Sequence, residues 1–224
     1  TPDTMQGFPR TALCTRRQAE RAALDSEKGL EDVFAGELAG QGVQLIASAS
    51  DRVRQYLGRD LIVRAERDLI ARRDWQVEAR VPVDHNYRYV PDGRPVLALL
   101  APYDGRDVLV EENEYLFAPT RYEEPVEYVA GYRRPDQEDL SAFPQAVQDA
   151  LSGIGEIPTL PRDVQQVTAQ IAVIRGRQAL QGLVGQSSVQ QDAGEFSASL
   201  SLSQADRQAE RRQLQKIHHR RRLH

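Results

Sequence analysis

The apolar period of this chain changes twice, from helical to strand-like and back. That order constrains the fold more than any other feature. From Leu30 onward, Val33, Phe34, Leu38, Leu45, Ile46, Ala49, Val53, Tyr56 and Leu57 recur at steps of three and four, the mark of one face of an amphipathic helix. Gly40 and Gly42 fall inside this run, and each costs a helix about 1 kcal/mol relative to Ala, so the spacing predicts either two helices broken at 40–42 or one helix weakened there, with the break favoured. Upstream, Thr15-Arg16-Arg17-Gln18 has the form of a capping box and predicts a short polar helix reaching about Lys28.

Between Gly58 and Tyr132 the period falls to two. Trp75, Val77, Ala79, Val81 and Val83 alternate with polar residues or Pro82, predicting a strand with one buried face. Further strands are expected at 61–70, 95–101, 106–110, 113–118 and 125–130. Pro91-Asp92-Gly93 and Asp104-Gly105 supply turns between them, because Asp and Gly tolerate left-handed backbone. Helical spacing returns after Pro144, with Ala146, Val147, Ala150, Leu151 and Ile154. It continues after Pro161, where Val164, Val167, Ile171 and Ile174 form a narrow stripe suited to one partner helix or a neighbouring subunit. Residues 181–203 are rich in Gly, Ser and Gln and read as a linker or arm. Ser203-Gln204-Ala205-Asp206 then caps a terminal helix to about His218. Its apolar content is Ala205, Ala209, Leu214 and Ile217, so it needs a partner surface to be stable.

The expected class is α+β: a mainly helical domain with helix pairs at both ends, a central antiparallel β region and an extended C-terminal arm. The boundaries drawn are an N-terminal extension at 1–28, a domain at 29–185 with helices 30–57, 144–154 and 161–182 around a β region at 58–132, and an arm with a basic helix at 186–224. A chain of 224 residues can bury such a core without staples. The lone cysteine, Cys14, excludes an internal disulfide and is expected to be inert. No uncharged run, the apolar stretch Pro95 to Tyr103 included, is long enough to span a bilayer, and no apolar leader opens the chain, so a soluble protein is expected.

Charge is distributed unevenly. The 29 basic and 33 acidic residues nearly balance, which argues against a general nucleic-acid coat. Resolved along the sequence, residues 104–139 carry eleven acidic and four basic groups, and residues 207–224 carry seven basic and one acidic. Motifs for catalysis are lacking: there is no GxSxG elbow, HExxH helix, calcium-loop spacing or glycine-rich phosphate loop. His85 stands alone in an expected loop. His218 and His219 point about 100 degrees apart on a helix and cannot share a metal as an i, i+4 pair does. Neither an enzyme nor a cofactor is expected.

Three strings, in order, sharpen the reading: Tyr56-Leu57-Gly58-Arg59-Asp60-Leu61, Asp92-Gly93-Arg94-Pro95-Val96 and Val126-Glu127-Tyr128-Val129-Ala130-Gly131-Tyr132. They are followed by Phe143-Pro144, by Ser188 and by Gly194-Glu195-Phe196-Ser197. Across roughly residues 30–220 this resembles the head-tail connector, or adaptor, proteins of tailed bacteriophages and gene transfer agents. The first 28 residues and the long acidic β region depart from the family's minimal form. The resemblance implies a structural virion protein of the neck, assembled in the host cytoplasm as a homo-oligomeric ring of twelve beneath the portal protein. Such a ring extends the channel for packaged double-stranded DNA and carries a tail-side completion protein, with no membrane partner.

Under that reading Arg207, Arg211, Arg212, Leu214, Lys216, Ile217, Arg220, Arg221 and Arg222 would meet the portal. Asp107, Glu111, Glu112, Glu114, Glu123 and Glu124 would sit on loops facing the lumen or tail, where negative charge keeps DNA from adhering. Val164, Val167, Ile171 and Ile174 would pack between subunits. The alternative is an oligomeric regulatory nucleic-acid-binding protein that uses the Arg-rich tail.

Overall fold

The structure is a computed structural model, and it describes residues 12–26, 32–35, 39–77, 87–100, 108–123, 125–134, 143–154, 156–185 and 203–220. The fold is α+β. By its internal contacts the chain divides into two units, residues 1–58 with 161–224, and residues 59–160. Helices from both ends of the sequence therefore make one body and the β region another. This replaces the single domain drawn at 29–185 with a separate arm.

The helical unit holds α1 (Arg16–Leu24), α2 (Asp32–Ala35), α3 (Ala39–Leu57), α5 (Arg162–Gly185) and α6 (Gln204–Gln215); α4 (Gln145–Ser152) belongs to the other unit. Helix α1 starts at the expected capping box: the Thr15 hydroxyl accepts from the Gln18 N–H at 3.2 Å and the Thr15 N–H donates to Gln18 Oε1 at 2.8 Å. It ends at Leu24, before the expected Lys28, and packs on α5 through Ala19, Ala22 and Ala23. Ala12, Leu13 and Cys14 are buried too, and the Leu13 N–H donates to Ser50 Oγ on α3. Ala12, Leu13, Cys14 and the inner face of α1 thus belong to the core, within the stretch drawn as an extension.

Gly40 and Gly42 are both helical, inside α3, so the break expected at 40–42 is not there; residues 36–38, between α2 and α3, fall outside the described residues. The reason is tertiary. A Cβ on Gly42 would stand 2.6 Å from the Val33 carbonyl oxygen and 3.1 Å from Phe34 Cα, so the glycine lets α2 lie directly on α3. Helix α5 is the centre of the unit. The stripe Val164, Val167, Ile171 and Ile174 is buried as expected, but so are Gln165, Thr168, Ala169, Ala172 and Val173. Small residues between the stripe positions widen the apolar face enough to receive α1, α3 and α6 together.

The β unit contains two antiparallel sheets. One has the order β1 (Arg64–Leu69), β7 (Pro125–Ala130), β4 (Val96–Leu99); the other has β2 (Gln76–Val77), β3 (Tyr87–Tyr89), β6 (Tyr115–Ala118), β5 (Leu109–Glu111). Strand β7 is central, with Arg64 opposite Ala130 and Asp68 opposite Val126 on one side and Val96 opposite Ala130 on the other. Its alternation divides two cores. Val126, Tyr128 and Ala130 join Trp75, Tyr89, Val96 and Leu116 between the sheets, while Val129 faces Val147 and Leu151 of α4.

The strand expected from Trp75 onward is described only as far as Val77. Trp75 is buried, its indole N–H donating to the Tyr122 carbonyl, but Val77 is 68% exposed. Strand β2, described over Gln76–Val77, lies at a sheet edge, and among the described residues nothing covers Val77. Ala79, Val81, Val83, His85 and the Asp104-Gly105 turn fall outside the described residues.

Candidate interaction surfaces

The terminal helix finds its partner surface within the chain. Ser203 caps α6 as expected, accepting from the Asp206 N–H. Leu214 and Ile217, 1% and 0% exposed, close against the helical unit. These two expected portal contacts are core residues, because α6 is too short and polar to persist without burying them. Arg220 is also engaged. Its Nε donates to Asp163 Oδ2 at 2.7 Å, and His219 lies 3.4 Å from the same oxygen.

Between these points lies a polar clamp. Glu210 is 2% exposed; it accepts from Arg175 Nε at 2.8 Å, and Arg52 Nε stands 3.7 Å away. Arg175 also donates to Ser48 Oγ, Gln178 Nε2 donates to Asp206 Oδ2 at 2.5 Å, and the Tyr56 hydroxyl and His218 Nδ1 share a hydrogen bond of 2.8 Å. A buried carboxylate is costly unless paired and hydrogen-bonded, so Glu210 sets the register of α6 on α3 and α5. Sequence spacing did not identify Arg52, Arg175 or Glu210. The one available signal was that Glu210 is the sole acid in the basic run 207–224.

Asp163 shows how the clamp treats charge. Burial acts to raise its carboxyl. The hydrogen bond and charge of Arg220, the Val164 N–H and the His219 ring together outweigh burial and hold it below 3.8.

The outer side of α6 presents Arg211 and Arg212 to solvent, and its C-cap Lys216 is exposed beside them. Gln204, Arg207, Gln208 and Arg211 line an open depression of about 330 Å³. Of the expected portal set, then, Arg207, Arg211, Arg212 and Lys216 are at the surface, Leu214 and Ile217 are inside, Arg220 is paired, and Arg221 and Arg222 fall outside the described residues.

In the β unit the β5–β6 hairpin gathers Glu111, Glu112 and Glu114 at its tip, with Glu111 opposite Tyr115. Glu112 and Asn113 have φ of 52° and 56°. Asn tolerates this left-handed conformation, but for Glu it is strained. The Asn113 carbonyl accepts from the Val96 N–H at 2.7 Å, tying the tip to β4. Glu123 pairs with Arg72 at 3.2 Å and is not part of this cluster; Asp107 and Glu124 fall outside the described residues. The stripe proposed for contacts between subunits, Val164, Val167, Ile171 and Ile174, lies inside the helical unit and leaves almost no surface for a neighbour.

A second buried carboxylate organises the β unit. Asp68 Oδ2 accepts from the hydroxyls of Tyr89 and Tyr128 and from the Asp92 N–H, each at 2.9 Å, and the Tyr128 hydroxyl accepts from the Gly93 N–H at 2.8 Å. Burial, together with the nearby Asp68 and Glu66 charges, pushes the Tyr128 phenol well above its ordinary value despite the Gly93 N–H, so it stays a donor. The group fixes the Pro91-Asp92-Gly93 turn against β1 and β7. Among the described residues no group of His, Cys, Asp and Glu could hold a metal ion, and no helix is long and apolar enough to cross a membrane. Comparison with protein-family models, curated proteins and solved structures yields no match to this chain.

Proposed function

We propose that this chain is a structural subunit of the neck of a tailed bacteriophage or gene transfer agent. In this role twelve copies form a ring between portal and tail, continue the channel for packaged DNA and give the tail-side completion protein its platform. The observation that carries the reading is the placement of opposite charge on different units: the helical unit displays Arg211, Arg212 and Lys216 on α6 and its C-cap, and the β unit displays Glu112 and Glu114 on a strained hairpin. A subunit so divided suits assembly between two protein partners. The order of helix, β region, helix and basic terminal helix supports the same reading.

The portal-facing set is the exposed row Arg207, Arg211, Arg212 and Lys216, extended in sequence by Arg221 and Arg222. Removing 204–224 is a poor test, because it would uncover the groove that holds Leu214 and leave Arg175 without Glu210. Charge reversal at Arg211, Arg212 and Lys216 keeps the fold. In co-sedimentation with the portal protein of the same virus, the triple variant is expected to lose binding while Glu123→Lys retains it; equal binding by both would refute the assignment.

The exposed cationic side chains Arg207, Arg211 and Arg212 favour a second reading, in which α6 contacts nucleic-acid phosphates. Binding to a short duplex that falls steeply with salt, in the absence of portal binding, would favour that reading.

A further inference from the structure

The polar pairs between α5 and the segment formed by α6 and the turn after it keep one antiparallel register. Gln178 meets Asp206, Arg175 meets Glu210 and Asp163 meets Arg220, each step down α5 matched by a step along that segment. Extending this register sets Ser203 beside residue 181, one turn before α5 ends at Gly185. With a rise of about 1.5 Å per residue and about 9 Å between packed helix axes, the chain then has about 11 Å to cross. Connections between neighbouring helices usually take about 2–8 residues. Here residues 186–202, seventeen in all, are available for it. That is about ten more than a return to the chain's own groove requires, and fully extended they would span about 55–60 Å.

Groove and helix are specific to each other. The groove needs an apolar pair at the positions of Leu214 and Ile217 and a carboxylate between Arg175 and Arg52, and α6 with the turn that follows it supplies all three. Leaving the groove empty would uncover apolar surface and strand Arg175, and α6 alone is too short to remain helical. The occupant is therefore α6 of this sequence, and the connection length leaves open which copy supplies it.

We infer that the groove between α3 and α5 is an exchange site that receives α6 from an adjacent copy in the assembly, and holds its own α6 when the chain is alone. The inference rests on the ring reading for its setting and gives that ring its subunit contact. The docking contacts are the same in both arrangements, so only the chain entropy of the connection separates them. A connection of this length sets an effective concentration of the order of millimolar for the chain's own α6. A neighbour's groove held alongside in a ring competes on similar terms. Each copy giving its helix to the next is a heterologous contact, the kind that closes into rings.

The test uses two full-length variants on a Cys14→Ala background, one with Gln178→Cys and the other with Asp206→Cys, mixed and treated with a short bis-maleimide. A third chain carries both cysteines. The expected result is a conjugate between the two chains, mapped to positions 178 and 206, whose share grows with concentration up to about 1 mM. It should vanish when residues 190–199 are deleted, which leaves seven residues for the crossing. The third chain should close internally with either connection. Internal closure with no conjugate between chains at any concentration overturns the inference. So does a conjugate that is equally abundant with the shortened connection, since that would reflect collision rather than docking. If the conjugate forms but no ring assembles on portal, the neck reading falls and the exchange site stands.

Discussion

Replacing Glu210 by Gln keeps the shape of α6 and removes the charge that Arg175 and Arg52 face. The Arg175 and Glu210 side chains are 13% and 3% exposed at a separation of 2.8 Å, whereas Arg52 is 39% exposed and can turn to water. Breaking one side of a buried pair costs about 3–5 kcal/mol. Arg175 keeps its bond to Ser48, which places Glu210→Gln near the lower end, about 3 kcal/mol. If α6 opens as a local unit, that loss raises its open population about a hundredfold. Hydrogen exchange followed by mass spectrometry on peptides covering 204–217 reads this directly, and peptides from β7 should not change. A double variant, Arg175→Met with Glu210→Leu, puts apolar groups where both charges were and should recover to within about 1 kcal/mol of the native chain. Exchange in α6 within threefold of native for Glu210→Gln would refute the clamp, as would a double variant whose loss is the sum of the single losses.

Other perturbations test other parts of the structure. Glu112→Gly relieves a side chain at φ 52° and should stabilise the β unit by about 1 kcal/mol, read as a higher urea midpoint from the fluorescence of the only tryptophan, Trp75. Asp68→Ala leaves two tyrosine hydroxyls and the Asp92 N–H without their acceptor and should lower the same midpoint by about 3 kcal/mol. Asp163 is depressed below 3.8 when folded. Its pairing with Arg220 therefore contributes fully above that value and is lost as pH falls through the folded one. Exchange in α6 should speed up on acidification below pH 3.8 in the native chain, and that acid limb should be weaker in Asp163→Asn.

What the sequence revealed depended on the range of the forces involved. Caps at Thr15 and Ser203 were legible because three consecutive peptide units and one side chain make them. Strand β7 was legible because Val126, Tyr128 and Ala130 share a face. Its closing Gly131 follows from geometry: φ is +117° and a Cβ would lie 2.6 Å from the Ile62 carbonyl carbon. Much of the string that carries the family resemblance is thus explained by packing in the β unit. Gly42 misled because its role is to admit Phe34 of another helix, and Val77 because alternation cannot report that a strand lies at a sheet edge. The clamp was hidden for a similar reason: Arg52, Arg175 and Glu210 lie far apart in the chain, and nothing local distinguishes a charge that will be buried. The bulky stripe on α5 was visible, but its burial on nearly every side depends on Ala169 and Ala172, residues too small to register in a periodicity.

The central claim is that copies of this chain assemble on a portal. Negative-stain images of the purified chain, of the portal protein alone and of their mixture test it most directly. The chain alone should appear as separate small particles and, in the mixture, as an added twelvefold ring on one end of the portal. Portal particles unchanged by an excess of the chain, with the chain instead bound to duplex DNA, would contradict it.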